Sequence, residues 1–304
     1  MYNIKFSIII ATYNRSKMVS RAIESALEQN GQTAEIIVVD DCSNDDTEFT
    51  VKKFRGVKYF RQPKNTGPGP ARDRGIREAG GEFVIILDDD DEMNATALIT
   101  VQNTILNSNG LNEYPVLQFS HTNGTVNDGM DFRIIRLKNY MLSELKGDFT
   151  PIISRKLYIE NNLWYPDNRA GGEHLLWWKI ADEFGIPTWS ESIMTLHDDA
   201  GLRLVSTESQ IERSKSHLEL AYLTLNGFGE RMKTISPPLY RSNLLALATY
   251  GLISGDVNSS KYARKQLFKN SQKLLAGVVL ILEFLPKKVL IHLFRIYRKQ
   301  HSRI

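Results

Sequence analysis

The first 120 residues alternate short, mostly apolar runs with amphipathic stretches, and that rhythm leaves few folds open to the chain. Residues 4–11 and 35–40 are built around continuous apolar segments, the pattern of strands covered on both faces. Between them Met18, Val19, Ala22, Ile23, Ala26 and Leu27 recur at helical spacing within residues 16–30. The same reading predicts helices over 45–54, 67–79 and 94–106, and strands over 57–60, 82–87 and 115–119. Such alternation implies an α/β fold: a doubly wound, mostly parallel sheet flanked by helices and joined by right-handed crossovers. Ligands of these sheets bind at the carboxyl ends of the strands. The polar clusters Thr12-Tyr13-Asn14, Asp40-Asp41 and Asp88-Asp89-Asp90-Asp91 fall there.

From about residue 123 the rhythm weakens, and after residue 210 it becomes helical. We therefore expect three regions: 1–122, 123–209 and a helical extension over 210–304. Trp164, Trp177, Trp178 and Trp189 fall within the middle region and suggest a platform or a second layer. With 42% apolar and 24% charged residues, the chain of 304 is not disordered throughout. Its single cysteine, Cys42, excludes a disulfide framework and a cysteine-based zinc site, and points to a reducing compartment. The opening residues carry too little positive charge, and turn polar too soon at Thr12-Tyr13-Asn14, for a secretory signal.

The run Asp88-Asp89-Asp90-Asp91 ends an apolar strand. A solvated turn capping the next helix is one reading. Four adjacent carboxylates repel, however, and Mg²⁺ or Mn²⁺ would relieve that repulsion and could act as a Lewis acid on a departing diphosphate. Residues 40–47 are rich in Asp and Asn and contain, at least in part, a turn with an N-cap. Residues 65–75 supply glycines for close backbone approach and Arg72 and Arg74 for phosphate.

In order and spacing, Ser7-Ile-Ile-Ile-Ala-Thr-Tyr-Asn-Arg15, Ile36-Ile-Val-Val-Asp-Asp-Cys-Ser43, Asn65 through Ala71-Arg72 to Gly75, and Gly81-Glu-Phe-Val-Ile-Ile-Leu-Asp-Asp-Asp-Asp91 resemble the family-2 glycosyltransferases with the GT-A fold. The match covers roughly the first 110 residues. The resemblance implies transfer of a sugar from a nucleotide diphosphate sugar, usually a UDP-sugar, with inversion at the anomeric carbon. It places Ala11, Thr12 and Tyr13 along the base, Asp41 as an acceptor from the base, and Arg72 near the nucleotide. Asp88 would face the ribose and Asp90 would hold Mg²⁺ or Mn²⁺. The four-residue run leaves this register open by one, so Asp89 joins the nucleotide-binding set.

A sugar hydroxyl is a poor nucleophile at neutral pH, so a general base is required. The resemblance places it four residues before a Trp, which is Glu173 counted from Trp177 and His174 counted from Trp178. Glu173 is favoured, because Leu176-Trp177 keeps the family's Leu-Trp pair and a carboxylate suits the role; Gly172 then replaces the usual Glu. Asp198 and Asp199 stand next in line. By the same resemblance His197 is a candidate metal ligand and Arg203 a candidate diphosphate contact.

Net charge is +3, but residues 255–304 hold 11 Lys/Arg against 2 Asp/Glu, a balance of +9, leaving −6 elsewhere. Apolar segments over 274–285 and 289–296 frame Pro286-Lys287-Lys288. Neither is long enough to span a bilayer, and joining them would bury Glu283 and both lysines. A buried helical hairpin or an interfacial anchor on an anionic membrane fits the pattern, the anchor being slightly favoured. Nucleic acid is the weaker partner: the region lacks aromatics spaced for base stacking, and the body is acidic.

These features lead us to expect a metal-dependent inverting glycosyltransferase, moving a glucose-type hexose from a UDP-sugar to a glycan hydroxyl. The plan resembles enzymes that decorate polyprenyl-diphosphate-linked oligosaccharides, peripheral on the cytoplasmic face of a bacterial inner membrane. A transferase of another UDP-hexose for surface polysaccharide is the near alternative. A non-catalytic nucleotide-sugar-binding or scaffold protein is the distant one, kept open by Gly172 and His174. A nucleotidyltransferase should have a Gly/Arg/Lys-rich loop after the first strand, and Asn14-Arg15-Ser16-Lys17 is not one.

Overall fold

The computed structural model describes residues 4–126, 129–197 and 206–301. Two compact units emerge, one of Met1–Asp167 with Gly171–Ala200 and one of Asn168–Ala170 with Gly201–Ile304.

The first unit begins with the expected alternation: β1 (Phe6–Thr12), α1 (Met18–Leu27), β2 (Ala34–Asp40), α2 (Thr47–Val51), β3 (Val57–Arg61), α3 (Pro68–Glu78) and β4 (Phe83–Asp88). It continues through β5 (Glu92–Met93), α4 (Ala97–Asn107), β6 (Val116–His121), β7 (Thr125–Val126), β8 (Phe132–Ile135), α5 (Leu137–Met141) and β9 (Leu145–Lys146). β10 (Phe149–Ser154), α6 (Arg155–Glu160), α7 (Glu173–Glu183) and β11 (Ile186–Thr195) complete it.

Sheet order is β3-β2-β1-β4-β10-β6-β11-β5, with β8 also on β11. β1 to β4 pair in parallel. β10 lies antiparallel between β4 and β6, and β11 runs parallel to β6, so β6 and β11 share the direction of the first four strands. The carboxyl ends of β1, β2, β4 and β6 therefore line one edge of the sheet.

The continuous apolar runs are explained by burial on both faces. Ile8, Ile10, Val38 and Leu87 pack with Val19, Ile23 and Leu98 on one side. Ile9, Ile37, Val39 and Ile86 pack with Ala71, Ile76 and Ile180 on the other. Gly75 in α3 lies so close to β1 that a Cβ there would meet Ile9 Cγ2 at 2.3 Å. The motif glycine thus serves helix–sheet packing. The four tryptophans form no single platform: Trp164 and Trp177 pack on the face of Ile9, whereas Trp189 stacks on Phe119 on the opposite face, 5.1 Å between centroids.

The second unit is helical: α8 (Thr207–Glu212), α9 (Ser214–Ile235), α10 (Pro237–Ser254), α11 (Val257–Lys269), α12 (Lys273–Leu282) and α13 (Lys287–His301). Among the described residues no helix is long and apolar enough to cross a membrane.

Candidate active site

Two loops are stitched together at the carboxyl edge. Asp41 N–H donates to the Thr12 carbonyl at 2.9 Å, Asn14 N–H to Ser43 Oγ at 2.8 Å, and Asn44 N–H to Asn14 Oδ1 at 2.7 Å. Asn14 and Cys42 adopt left-handed φ of 54° and 71°, a conformation that non-glycine residues hold only when their surroundings fix it. Ala11 and Tyr13 are half-buried here and Thr12 is buried. The buried Asp41 carboxylate accepts from Thr66 N–H at 2.8 Å, Thr66 Oγ1 at 3.0 Å and Gly67 N–H at 2.7 Å, tying the start of α3 to the end of β2. Arg74 donates to the Arg61 carbonyl at 2.9 Å and covers the Phe60 ring, which places it in the scaffold of this loop.

Two arginines meet the repulsion within the Asp run. Arg15 donates to Asp89 at 2.7 Å and to Asp90 at 3.0 Å. Arg72, with its side chain only 8% exposed, donates to Asp88 at 2.5 Å and to Glu173. Asp88 keeps access to water, and although desolvation by the groups crowded around it opposes ionisation, the Arg72 guanidinium outweighs this and holds the carboxyl below its ordinary value. Burial pushes Asp89 up to about 6 against the pull of Arg15. Burial, then repulsion from Asp88, pushes Asp91 up to about 7.

Asp91 connects the run to two histidines. Its Oδ2 lies 3.7 Å from Nδ1 of His121, at the end of β6, and its Oδ1 accepts from the His197 backbone N–H at 3.3 Å. The His197 ring sits 3.3 Å from Glu92. His121 Nε2 bonds Thr150 Oγ1 at 2.8 Å, whereas its buried Nδ1 has no hydrogen-bond partner among the described residues. Carboxylates and imidazoles are donors that Mg²⁺ and Mn²⁺ accept, and the orphaned His121 nitrogen is a buried polar position still to be satisfied. The residues fit a divalent cation in kind, although among the described residues no three His, Cys, Asp or Glu side chains converge in coordinating geometry. Asp198, Asp199 and Arg203 lie outside the described residues.

Glu173 is the first residue of α7, where the helix dipole favours a negative charge. The chain reaches it through Gly171 and Gly172 at φ of 93° and 103°. A Glu in place of Gly172 would be strained there, which gives the Gly-Gly pair a backbone reason. Glu173 meets Arg72, and through it Asp88. His174 instead packs edge-on against Trp178 at 5.1 Å, and burial lowers its imidazole to about 4, so it is neutral near pH 7. Arg72 also lies over the Tyr165 ring at 5.6 Å.

The site thus gathers Thr12, Asp41, Arg72, Asp88 to Asp91, Glu173 and His197 within one unit. Sequence reasoning missed Arg15 as the partner of the Asp run, Arg21, which donates to the Asp90 carbonyl at 2.5 Å, and His121. Only Arg15 had left a signal, a cation close behind the strand that faces four carboxylates.

Residues 7–141 match the family described as Glycosyl transferase family 2. A GalNAc(5)-diNAcBac-PP-undecaprenol beta-1,3-glucosyltransferase of Campylobacter jejuni is 31% identical over 197 residues, 59% of this chain and 60% of that protein. The poly(ribitol-phosphate) beta-N-acetylglucosaminyltransferase TarS of Staphylococcus aureus is 29% identical over 259 residues, 79% of this chain. The chain spans less than two thirds of these relatives' lengths, 60% and 41%. The crystal structure of TarS residues 1–349 with UDP-GlcNAc superposes with a TM-score of 0.57 at 21% identity, covering 88% of this chain and 92% of that one. The mannosyltransferase PcManGT of Pyrobaculum calidifontis, solved with GDP-Man and Mn²⁺, gives 0.54 at 16% identity, covering 100% and 89%. Both share the GT-A architecture.

Proposed function

Because residues 7–141 are a glycosyl transferase family 2 domain, we propose that this chain transfers a hexose from a UDP-sugar to a glycan hydroxyl with inversion. One observation carries the reading: Arg72 joins the carboxylate that opens α7 to the Asp run that ends β4. A base for the acceptor and a seat for the nucleotide are thereby held in one fixed arrangement.

In this reading Ala11, Thr12 and Tyr13 receive the uracil with Asp41, and Asp88 and Asp89 meet the ribose. The acceptor hydroxyl attacks the anomeric carbon while the bond to the diphosphate oxygen breaks. Glu173 takes the hydroxyl proton, and Arg72 keeps its carboxylate oriented. Asp90 and His197 would hold Mg²⁺ or Mn²⁺, with His121 and Asp91 behind them; the ion's chemistry is to neutralise charge on the departing UDP. Arg203 is proposed as a further contact to the diphosphate.

The Campylobacter relative acts on an undecaprenyl-diphosphate glycan, which supports a lipid-linked oligosaccharide or polysaccharide precursor as acceptor and glucose as donor sugar. The chain then works peripherally on the cytoplasmic face of a bacterial inner membrane. Residues 1–122 serve the donor, 123–209 the acceptor and 210–304 the membrane.

Incubation with a panel of UDP-sugars and Mn²⁺ or Mg²⁺, with and without a polyprenyl-diphosphate-linked glycan, tests this. We expect one UDP-hexose to release UDP much faster when the glycan is present. Failure of every UDP-sugar to bind or react would contradict it.

A further inference from the structure

The C-terminal helices present their apolar side chains to solvent. Twenty large hydrophobic side chains are exposed among the described residues, and nine of them fall within residues 273–301. On α12, Leu274, Val278 and Ile281 follow helical spacing on one face, while Ala276 and Val279 are buried on the opposite one. Phe284 continues the exposed face. Leu274, Ile281 and Phe284 are 83%, 64% and 81% exposed. On α13, Leu293 and Ile296 are again exposed, while Leu290 and Phe294 are buried. A patch of this kind marks an interaction surface.

Charge identifies its occupant. Residues 257–301 hold ten Lys/Arg and one acid, Glu283. That acid is turned inward: its side chain is 6% exposed, pairs with Arg264 at 3.1 Å and accepts from Ser260 Oγ at 3.1 Å. Lys273, which opens α12, and Lys287 and Lys288, which open α13, stay exposed. An apolar face rimmed by cations, with Glu283 withdrawn and paired and the exposed Glu208 of α8 neutralised by Arg295 at 2.8 Å, is complementary to anionic lipid. A second copy would set two basic surfaces against each other.

We propose that α12 and α13 lie in the interface of an anionic phospholipid bilayer, with Leu274, Ile281 and Phe284 in the acyl boundary and Lys273, Lys287 and Lys288 on the headgroups. This deepens, and in part rests on, the reading that the acceptor is lipid-linked, by naming the surface and the lipid charge it needs.

The test is flotation of the full chain with vesicles of phosphatidylglycerol and phosphatidylcholine, and of phosphatidylcholine alone. We expect binding to the anionic vesicles only. Leu274→Glu/Ile281→Glu/Phe284→Glu should lower partitioning by about a hundredfold or more, and Lys287→Glu/Lys288→Glu by at least about twentyfold, since each cation near such a surface contributes roughly fivefold. All five side chains are exposed, so the folds should survive, and thermal melts of both variants check this. UDP titration without lipid distinguishes the two readings: lost UDP binding with intact flotation refutes the transferase and spares the membrane surface. Absence of flotation, flotation unaltered in both variants, or a lipid-free dimer dispersed by the triple variant would overturn the proposal.

Discussion

Arg72→Met removes the cation that joins Asp88 to Glu173 while keeping most of the side-chain volume. The Arg72 side chain is only 8% exposed, but the two carboxylates it leaves are 48% and 39% exposed. Stranding a carboxylate in a dry interior costs about 3–5 kcal/mol. Here water can reach both groups, so the lower range for charge-assisted hydrogen bonds applies, roughly 1.5 kcal/mol for each of two, or about 2–3 kcal/mol in sum. At about 2–4 °C per kcal/mol for a chain of this size, Tm should fall by roughly 5–10 °C. Freed from Arg72, Glu173 loses its fixed orientation, and we expect kcat to fall about 10- to 100-fold with a much smaller change in UDP affinity. Arg72→Lys should recover part of the stability and little of the rate, because an ammonium cannot reproduce the two-pronged geometry. The assays are a thermal melt, calorimetry with UDP, and steady-state UDP release. A variant that melts and turns over like the native chain would reduce the bridge to a surface ion pair without consequence. Loss of UDP affinity with native kcat would assign Arg72 to the nucleotide alone.

Asp90→Asn should largely abolish turnover, and EDTA should silence the native chain until Mg²⁺ or Mn²⁺ is restored; full activity in EDTA removes the metal. Asp41→Ala frees the Thr66 and Gly67 N–H groups as well as the proposed base contact, so it should destabilise by about 2–4 kcal/mol and weaken UDP binding at least about tenfold, and unchanged affinity by calorimetry would remove the assignment. Asp73 accepts from Tyr165 N–H at 3.3 Å and is pushed up to about 7, chiefly by burial. In the unfolded chain it ionises near pH 4, so between about pH 4 and 7 the folded state holds a proton that the unfolded state has lost, and stability falls as pH rises through that window. Asp73→Asn should therefore stabilise by roughly 1–3 kcal/mol at pH 8 and by almost nothing at pH 4; equal gains at both would refute the ionisation argument.

The first 120 residues were legible because their strands are buried on both faces, and a short, continuous apolar run between turn residues fits little but a strand inside a sheet. The predicted helix over 45–54 is shorter, Thr47–Val51, because the Asp45 carboxylate turns back to accept from Thr47 and Ser16 and acts before the helix begins. β10 escaped notice because Pro151 argues against a central strand. Its pairing with β4 begins only at Ile152, so at Pro151 the strand has a partner on one side, β6. The Asp run was visible as a cluster of charge, but its partners were not. Arg15 and Arg72 lie 74 and 16 residues away from the carboxylates they hold, and only the fold brings them together. Likewise His121 reaches Asp91 because β6 ends at the same edge as β4, which no local pattern announces.

The central claim is that Glu173 is the base of a sugar transfer, and Glu173→Gln tests it most directly. The substitution keeps size and hydrogen bonding while removing the proton acceptor. The account predicts that acceptor-dependent kcat falls by about 10²–10⁴-fold while UDP-sugar affinity stays within about twofold, and that His174→Ala changes little by comparison. A Glu173→Gln chain that turns over at nearly the native rate, above all beside an inactive His174→Ala, would contradict it.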